Sequence, residues 1–587
     1  MNRRWFLRRT FQAWLASQLP LLSPLLRLSG AAEPPPSRKL NRYVLISMFE
    51  SPPRWMFDFP LQRTGSAQFV PHPAMGTEFD TPTVTPGGVK TPRLKMASVP
   101  RAGFDWPSLW SKPIPLSGGG WGELSRHLPE FALIRGCDMR QDGHPQNSMR
   151  LEAATPGEIS LGGLIAEGSP TPFGAIGMSG TEAAGERSLI SAFRMPSGRA
   201  LQTFDETDVA RNPYIDQLLR PFEGATEPKD EERFHELLGE HLAPRDGTLL
   251  KQISRETSPA LARIRKLPLR EIRADYEAAE KRYRDLVHRA FHDKPLAGVM
   301  DAPVPGLRLP CRFPRPAKAF ENDDFLGAWK MDDHYVGSED LRTVFRRVSN
   351  KTLSHQFAMV ETALIHQLAD VLLFNVDPPA ELEFKDSYRV NRVRSRNVGD
   401  QIEFYTEDPP YSSPTRPGEG EVLNIDGHNV GSAIGLMGYS LYYRALAACI
   451  VELKSRLARA GGRQPGGSVF DETLIHLTSE FERRPRSDLG GTDHGWRGHT
   501  STLISGRIRG TEVIGNIRTR SPEGRGEREC TWGEGAPLQA NGRVLAYSDI
   551  AATLAHLFQV APPAPGLKLL NGEGRGIVRS AEESRSV

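Results

Sequence analysis

The chain has 587 residues, of which 38% are hydrophobic and 25% charged, and its 74 basic and 71 acidic residues leave a formal net charge of +3. Charge that is balanced in this way gives no long-range field to attract nucleic acid, so we expect no nucleic-acid partner. The four cysteines include no CxxC pair, which argues against a zinc knot and against a disulfide-built scaffold. The composition is typical of a large globular protein rich in loops.

Residues 1–32 predict an export signal. Basic, apolar and small-residue sections follow one another in signal-peptide order, and "RRWFLR" (residues 3–8) resembles a twin-arginine motif. Two prolines and Arg27 interrupt the apolar run before it reaches the ~20 residues that a membrane span needs. We therefore expect cleavage after Ala31 or Ala32, a periplasmic or otherwise extracytoplasmic location reached by the twin-arginine route, and no stable membrane span afterwards.

Residues 40–570 predict one α/β domain. The pattern predicts strands at residues 41–49, 370–376, 473–481 and 501–506, a helix end followed by a strand within 127–139, and helices at 353–369, 433–462 and 548–560. Strands that alternate with helices of this length indicate a largely parallel central sheet with helices on both faces. Functional groups in such sheets collect in the loops at the carboxyl ends of strands.

Two stretches depart from this alternation. Residues 205–295 place apolar residues at three-to-four spacing among interleaved charges, which predicts an amphipathic helical insert with a solvated face. Residues 377–421 are rich in turn residues and predict a loop-rich insert. Residues 571–587 follow the last helix and predict a flexible tail.

The run "VLNIDGHN" contains the first candidate metal ligands. Asp426 and His428 lie two residues apart at the end of a β-type run, where the period of two points both side chains to the same side. Such a strand end offers two ligands to one ion. The alternative is a turn aspartate followed by a surface histidine, because Asp-Gly is a common turn dipeptide.

A second group of candidates lies further along the chain. The apolar run "TLIHLTSEF" delivers Glu480 where a strand is expected to end, and "GGTDHG" offers Asp493 and His494 on a glycine-flanked loop. One Asp and two His with an open fourth position suit zinc or a similar ion at a hydrolytic site, where bound water is acidified or a phosphoryl or sulfuryl oxygen polarised. The alternative is that Glu480 pairs with Arg483 or Arg484 and that the histidines cap loops.

Several motifs, in the order in which they occur along the chain, resemble those of a known family. "RRWFLR", "ALIRGCDMRQDGH", "NIDGHN", "TSEFERRPRSDLGGTDHG", "STLISGRIRGTEVIGN" and "YSDIAATLAHLFQV" together resemble the exported bacterial family described as domain of unknown function 1501. Members of that family usually have Gly-Trp-Asp-Thr-His in place of "NIDGH" and Glu-Phe-Gly-Arg-Thr-Pro in place of "EFERRP". The family in turn resembles the alkaline phosphatase and sulfatase superfamily, which implies an alkaline-phosphatase-like α/β sandwich with metals at strand ends.

The resemblance implies a metal site. Asp426, His428 and His494 match the first metal site of the superfamily and would hold one zinc-like divalent ion. Glu480 falls where the second site has an aspartate at a strand end. Phe481 stands where that second site would have a histidine, so the second site is incomplete.

The resemblance also implies further site residues. Glu50 directly follows the first strand and is a candidate ligand in place of a phosphatase aspartate, and Asp493 beside His494 is another candidate ligand. His144 lies where relatives often keep a histidine, and with Glu480 it is our candidate catalytic group, either as a ligand or as an acid/base group. Ser148 is a candidate nucleophile, for which an ordinary loop serine is the alternative, and Asp58 coincides with an acidic position of the relatives.

The sequence thus predicts an exported, metal-dependent hydrolase that acts on a small-molecule or polymeric phosphate or sulfate ester. The alternative is a catalytically inactive binding or assembly protein that retains the fold. The departures at Phe481 and in "EFERRP" favour that alternative.

Overall fold

The computed structural model describes residues 40–48, 51–65, 75–80, 84–85, 88–89, 94–152, 159–178, 189–197, 201–204, 209–220, 267–301, 308–309, 339–340, 351–376, 393–398, 401–406, 432–485, 492–508, 510–518, 534–538, 542–572 and 574. The predicted export signal and most of the predicted tail lie outside these residues. Among the candidate ligands, Glu50, Asp426 and His428 lie outside them as well.

Among the described residues, eleven strands build the sheet and one separate hairpin. They are β1 (Arg42–Met48), β2 (Phe131–Asp138), β3 (Gly174–Met178), β4 (Gln202–Thr203), β5 (Ala369–Val376), β6 (Thr473–Ser479), β7 (Glu482–Pro485), β8 (Thr492–Gly495), β9 (His499–Ile504), β10 (Glu512–Ile514) and β11 (Leu545–Ala546). The sheet has the order β4-β3-β5-β1-β6-β9-β2-β10, and β11 also pairs with β2. The antiparallel pair β7 and β8 forms the separate hairpin.

Strand direction decides where the site lies. Within the described sheet, β9 pairs antiparallel with β6 and with β2, and every other pairing is parallel. The carboxyl ends of β1, β2 and β6 therefore meet at the same edge, which also receives the start of β9. The predicted mixed α/β fold with a largely parallel sheet is confirmed.

The apolar runs explain the burial of the sheet on both faces. In β1, Val44, Ile46 and Met48 belong to one hydrophobic cluster, whereas Tyr43 and Leu45 belong to the other. A near-continuous apolar strand of this kind is typical of a parallel sheet covered on both sides. All seven residues of the strand are buried.

Eight helices flank the sheet in the described part of the chain. They are α1 (His144–Arg150), α2 (Leu161–Glu167), α3 (Tyr214–Leu219), α4 (Leu269–His292), α5 (Lys351–Ile365), α6 (Ser432–Arg459), α7 (Val469–Glu472) and α8 (Tyr547–Phe558). Helices α4, α5 and α6 supply apolar residues to one hydrophobic cluster, and α2 and α8 supply the other. The predicted helices on both faces of the sheet are therefore present.

The described part of the predicted helical insert packs into the core. On α4, Tyr283 Oη donates to Glu361 Oε2 at 2.8 Å, and Tyr276 Oη lies 2.9 Å from His355 Nδ1. Both partners are on α5, so polar contacts tie α4 to the helix layer in addition to its apolar residues. None of the helices in the described residues is long and apolar enough to cross a membrane.

Shorter elements surround this framework. The 3₁₀ helices are Arg54–Met56, Ser108–Ser111, Leu124–Glu130 and Ile190–Ala192. The remaining strands are Gln62–Arg63, Glu78–Phe79, Val84–Thr85, Gly88–Val89, Leu94–Lys95, Ser98–Arg101, Phe104–Pro107, Pro113–Pro115, Trp121–Glu123, Arg308–Leu309, Glu339–Asp340, Val393–Val398, Gln401–Thr406, Ile517–Arg518 and Glu534–Gly535. The pair Val393–Val398 and Gln401–Thr406 is an antiparallel hairpin within the predicted loop-rich insert.

Candidate functional site

Five side chains meet at the carboxyl edge of the sheet, and we call them the edge cluster: Ser51, Asp142, His144, Glu480 and His494. Ser51 follows β1, Asp142 and His144 follow β2, Glu480 follows β6, and His494 lies on β8. Because the carboxyl ends of parallel strands share one edge, residues that are hundreds of positions apart in the sequence come into contact there.

Glu480 is the buried member of the edge cluster. Its side chain has no exposed surface, Ser51 Oγ donates to its Oε2 at 2.6 Å, and its Oε1 lies 3.0 Å from His144 Nδ1. Burial by itself raises the pKa of Glu480, but the hydrogen bonds and charge of His144 and the hydrogen bond of Ser51 outweigh burial and hold this pKa below its ordinary value. The carboxylate therefore carries its negative charge inside the protein.

Ser51 holds Glu480 from a strained backbone position. Its φ of 47° lies in the left-handed region, which costs a residue other than glycine on the order of 1 kcal/mol or more. The surroundings fix it there: its Oγ accepts from Phe481 N at 3.2 Å, and its carbonyl accepts from Arg483 Nε at 2.9 Å. These contacts join the end of β1 to the chain that follows β6.

His144 is positioned by the loop that follows β2. Gly143, with φ of 120°, turns the chain into α1, so that His144 is the first residue of this helix. Asn147 Nδ2 donates to the carbonyl of Gln141 at 2.8 Å and fixes the loop to the helix. A backbone bond of 2.8 Å from Met139 N to the carbonyl of Trp496 then joins this loop to the segment after β8.

His494 meets His144 from the hairpin. The segment expected to be a glycine-flanked loop is a short strand in the structure, because Arg483 and Glu482 pair with His494 and Gly495 across β7 and β8. Gly495 is required there, since a Cβ atom would lie 2.9 Å from the carbonyl oxygen of Glu482. The Nε2 atoms of His494 and His144 are 3.2 Å apart, and His494 Nδ1 bonds Asp142 Oδ1.

The phenyl ring of Phe481 packs against the imidazoles of both His144 and His494. Its ring centroid lies 4.1 Å from that of His494 and 4.7 Å from that of His144, and the residue is fully buried. The two histidine rings are 4.7 Å apart and almost perpendicular, at 88°. The position where the resemblance calls for a second-site histidine is thus filled by a packed phenyl ring.

A buried ion pair supports the loop next to the edge cluster. Arg54 donates to both oxygens of Asp58 at 2.6 and 2.5 Å, and Thr502 Oγ1 donates to Asp58 Oδ2 at 2.6 Å. Arg54 N also donates to Glu482 Oε1 at 3.0 Å, and burial, only partly offset by Arg54, raises the pKa of Glu482 to about 8. Asp58, a residue marked by the resemblance, therefore anchors the loop after β1.

A second group of polar side chains lies inside the sheet, and we call it the core network: Tyr43, His476, Thr478, His499 and Ser501. Tyr43 Oη is 2.9 Å from His476 Nδ1, and His476 Nε2 is 2.9 Å from Ser501 Oγ. Thr478 Oγ1 lies 3.1 Å from His499 Nε2 and 3.1 Å from Ser501 Oγ. Burial, with the charge of Arg54, lowers the pKa of His476 to about 3 and that of His499 well below its ordinary value.

The structure brings together three of the predicted site residues, Glu480, His144 and His494. Asp493 points away from them: 48% of its side chain is exposed, and its Oδ2 lies 3.8 Å from Arg484 Nη2. The predicted ligands Asp426, His428 and Glu50 lie outside the described residues. Ser148 lies inside α1, where it is buried.

Within the described ranges, no group of three or more His, Cys, Asp or Glu side chains could hold a metal ion. In the edge cluster, His144 and His494 supply two imidazole nitrogens, and imidazole suits zinc and related transition metals. Imidazole nitrogens are donors that zinc binds, but a zinc site ordinarily has three or four protein ligands, more than these two.

The sequence interpretation missed Ser51 and Asp142. Asp142 carries a signal, because "QDGH" repeats the Asp-Gly-His triplet of "IDGH", and only the second triplet was interpreted as a ligand pair. Ser51 carries none, since its partner Glu480 is 429 residues away. The sequence between them gives no indication of that contact.

No family model matches the chain, and comparisons with curated proteins and with solved structures find no match. The class of protein is therefore defined by the fold and the edge cluster alone. The chain is a mixed α/β protein with a largely parallel sheet, and a carboxylate and two histidines meet at the carboxyl edge of that sheet.

Proposed function

We propose that the chain is an exported, metal-dependent hydrolase of a phosphate or sulfate ester, with an alkaline-phosphatase-like fold. One observation carries the proposal: at the carboxyl edge of the sheet, His144 contacts both Glu480 and His494, which lie 336 and 350 residues further along the chain. A sheet of this type has its functional groups at that edge. The ordered motifs described above support the same class.

The proposed site holds one divalent ion. His494 would bind it together with Asp426 and His428, and Phe481 fills the place of a second-site histidine with a phenyl ring. The bound ion would supply Lewis acidity for the ester oxygen or for an attacking water. Export by the twin-arginine route, which carries folded proteins, is compatible with loading of the ion before export.

The chain's own residues perform the remaining tasks. The buried Glu480 fixes the ring of His144 through Nδ1, and Ser51 fixes Glu480 in turn. Phe481 packs against both imidazoles and limits the water around them. The side chains of His144 and His494 keep 25% and 19% of their surfaces exposed, so a substrate is able to reach them.

The test is a panel of aryl phosphates, phosphodiesters and aryl sulfates, assayed with the purified folded protein after loading with zinc. We expect turnover of one class and its loss in His494→Ala. The matched control is His366→Ala, because His366 lies just before the start of β5, at the opposite edge of the sheet from the carboxyl ends, and bonds Asp275 of α4. Turnover of no class by the loaded protein would instead favour the inactive binding or assembly protein.

A further inference from the structure

We infer that Glu152 forms a pH-sensitive contact between the end of α1 and the start of α2, which is closed when its carboxyl group is neutral and opens when that group is ionised. The inference goes beyond the proposed function and does not rest on it, since Glu152 lies outside the edge cluster. It describes a conformational change built into the fold, and it reaches the candidate site only because His144 begins the same helix.

Glu152 joins two helices through both its backbone and its side chain. Its carbonyl accepts from Leu161 N at 2.7 Å, and its Oε2 accepts from Gly162 N at 3.0 Å. Both donors belong to the first turn of α2. The preceding residue, Leu151, is held by α8, because Tyr547 Oη donates to its carbonyl at 3.0 Å. Three helices are therefore tied together at the end of α1.

The carboxyl group of Glu152 is packed tightly against α2. Only 1% of the residue is exposed. A Cβ atom at Gly162 would lie 2.7 Å from Glu152 Oε2 and 3.2 Å from Val371 Cγ1 of β5, so α2 approaches both so closely that only glycine fits there. Water reaches this carboxyl group only if α1 and α2 separate.

One oxygen of this carboxyl group is not hydrogen-bonded. Glu152 Oε1 is buried and has no hydrogen-bond partner within the described residues. An ionised carboxylate has about four acceptor positions on its two oxygens. A charged group whose acceptor positions stay empty inside a protein is far more costly than the neutral form of the same group.

The described surroundings of Glu152 do not supply a balancing charge. Arg150, the nearest cation along the chain, donates instead to the carbonyl of Met139 at 2.6 Å. Burial, and secondarily the charge of Glu152, raises the pKa of Tyr43 on β1 and of Tyr547 on α8 well above the ordinary value, so both tyrosines stay neutral. The ionised form of Glu152 is therefore a buried charge without a counter-ion in the described part of the chain.

The direction of the pH effect follows from this burial. Burial raises the pKa of Glu152 from 4.5 to about 7, against the opposing hydrogen bonds of Gly162 and Ser160. When the contact opens, water reaches the carboxyl group and its pKa returns to the ordinary value. The closed contact is thus most stable below pH 4.5, loses stability as the pH rises towards 7, and changes no further above that. The equilibrium constant for opening should rise by up to about 300-fold over this range.

The experiment is hydrogen exchange of the folded full-length protein at pH 5 and pH 8, read by mass spectrometry of peptides from α1 and α2. Protection factors, corrected for the pH dependence of intrinsic exchange, report the opening equilibrium. Peptides of α4 are the internal reference, because α4 and α2 belong to different hydrophobic clusters, on the two faces of the sheet.

Two variants complete the experiment. Glu152→Gln has nearly the same shape as the neutral glutamic acid and does not ionise. The matched control is Glu167→Gln, which makes the same chemical change at the exposed end of α2. Circular dichroism of each variant checks that the fold is retained.

We expect the protection of α1 and α2 to fall by about 50-fold or more from pH 5 to pH 8 in the unmodified protein and in Glu167→Gln. In Glu152→Gln it should stay the same at both pH values, and the protection of α4 should stay the same in all three proteins.

The inference is overturned if the unmodified protein protects α1 and α2 equally at the two pH values, if Glu152→Gln loses protection with pH as the unmodified protein does, or if α4 loses as much protection as α1 and α2. The unmodified protein and Glu167→Gln still decide the matter if Glu152→Gln fails to fold, because equal protection at both pH values contradicts the contact. Ester turnover is not measured, so failure of the proposed hydrolase leaves this result unchanged.

Discussion

The edge cluster and the core network both contain two histidines within a short distance of β6, yet their surroundings differ. In the edge cluster each histidine has a carboxylate on Nδ1 and keeps part of its ring exposed. In the core network, hydroxyl groups surround fully buried rings, and the pKa of His476 is lowered to about 3. The partners of a histidine and its access to solvent thus decide whether its ring is available for chemistry.

The core network should contribute mainly to the stability of the fold, and the edge cluster mainly to function. A buried network of hydrogen-bonded side chains contributes to the fold, and a partner removed from it leaves costly unpaired groups. A metal ligand at the edge contributes little to the metal-free fold and much to ion binding. Three predictions test this division, in order of decreasing effect.

The largest effect is expected from His476→Ala. The change leaves the hydroxyl groups of Tyr43 and Ser501 without their partner and opens a cavity in the sheet, so the free energy of unfolding should fall by about 3 kcal/mol. His494→Ala in metal-free protein should cost less, about 1 kcal/mol, because 19% of its side chain is exposed and no fully buried polar partner loses its hydrogen bond. Urea denaturation of both variants measures the difference, and equal losses would contradict the comparison.

A smaller effect is expected on the free energy of unfolding at acidic pH. Because burial, aided by the charge of Arg54, lowers the pKa of folded His476 to about 3, whereas the unfolded value is about 6.5, the unfolded chain gains a proton between these values. Stability linked to His476 is thus present above pH ~6.5 and is lost as the pH falls towards 3, by up to about 1.4 kcal/mol per pH unit.

The variant His476→Asn removes this titration. The stability difference between the unmodified protein and this variant should shrink as the pH falls from 6.5 to 4.5, with the slope given above. Urea midpoints at several pH values measure it, and contributions of other titrating groups, such as Glu482, cancel in the difference. Parallel pH profiles would show that His476 is not kept neutral by burial.

The smallest effect on stability is expected from a matched pair of surface carboxylates. Asp142 and Asp493 are 62% and 48% exposed, so Asp142→Asn and Asp493→Asn should each change stability by less than about 0.5 kcal/mol. Zinc affinity should separate them: about 10- to 100-fold weaker for Asp142→Asn, which orients His494, and unchanged for Asp493→Asn. Equal zinc affinities of the two variants would show that Asp142 does not orient His494 for metal binding.

Much of the central fold was predictable from local pattern. The apolar runs at residues 41–49, 370–376 and 473–481 become β1, β5 and β6, and the periodic runs at 433–462 and 548–560 become α6 and α8. The hairpin of β7 and β8 was not predictable, because its second strand, "TDHG", has no apolar alternation. Pairing with β7 decides its structure.

The candidate site was predictable only in part. His144, Glu480 and His494 were identified from strand ends and motifs, because chemistry-bearing residues at strand ends give a local signal. The contacts that orient them were not, since Ser51 and Asp142 reach partners 429 and 352 residues away. The outward direction of Asp493 also depends on the pairing of the hairpin and on Arg484, rather than on its position beside His494.

The most direct test of the proposed metal site is X-ray absorption of the zinc-loaded protein, which counts the imidazole ligands of the ion. We predict imidazole nitrogens at about 2.0 to 2.1 Å, with one fewer in His494→Ala. A spectrum of His494→Ala identical to that of the unmodified protein would contradict the proposal, because His494 would then not bind the ion.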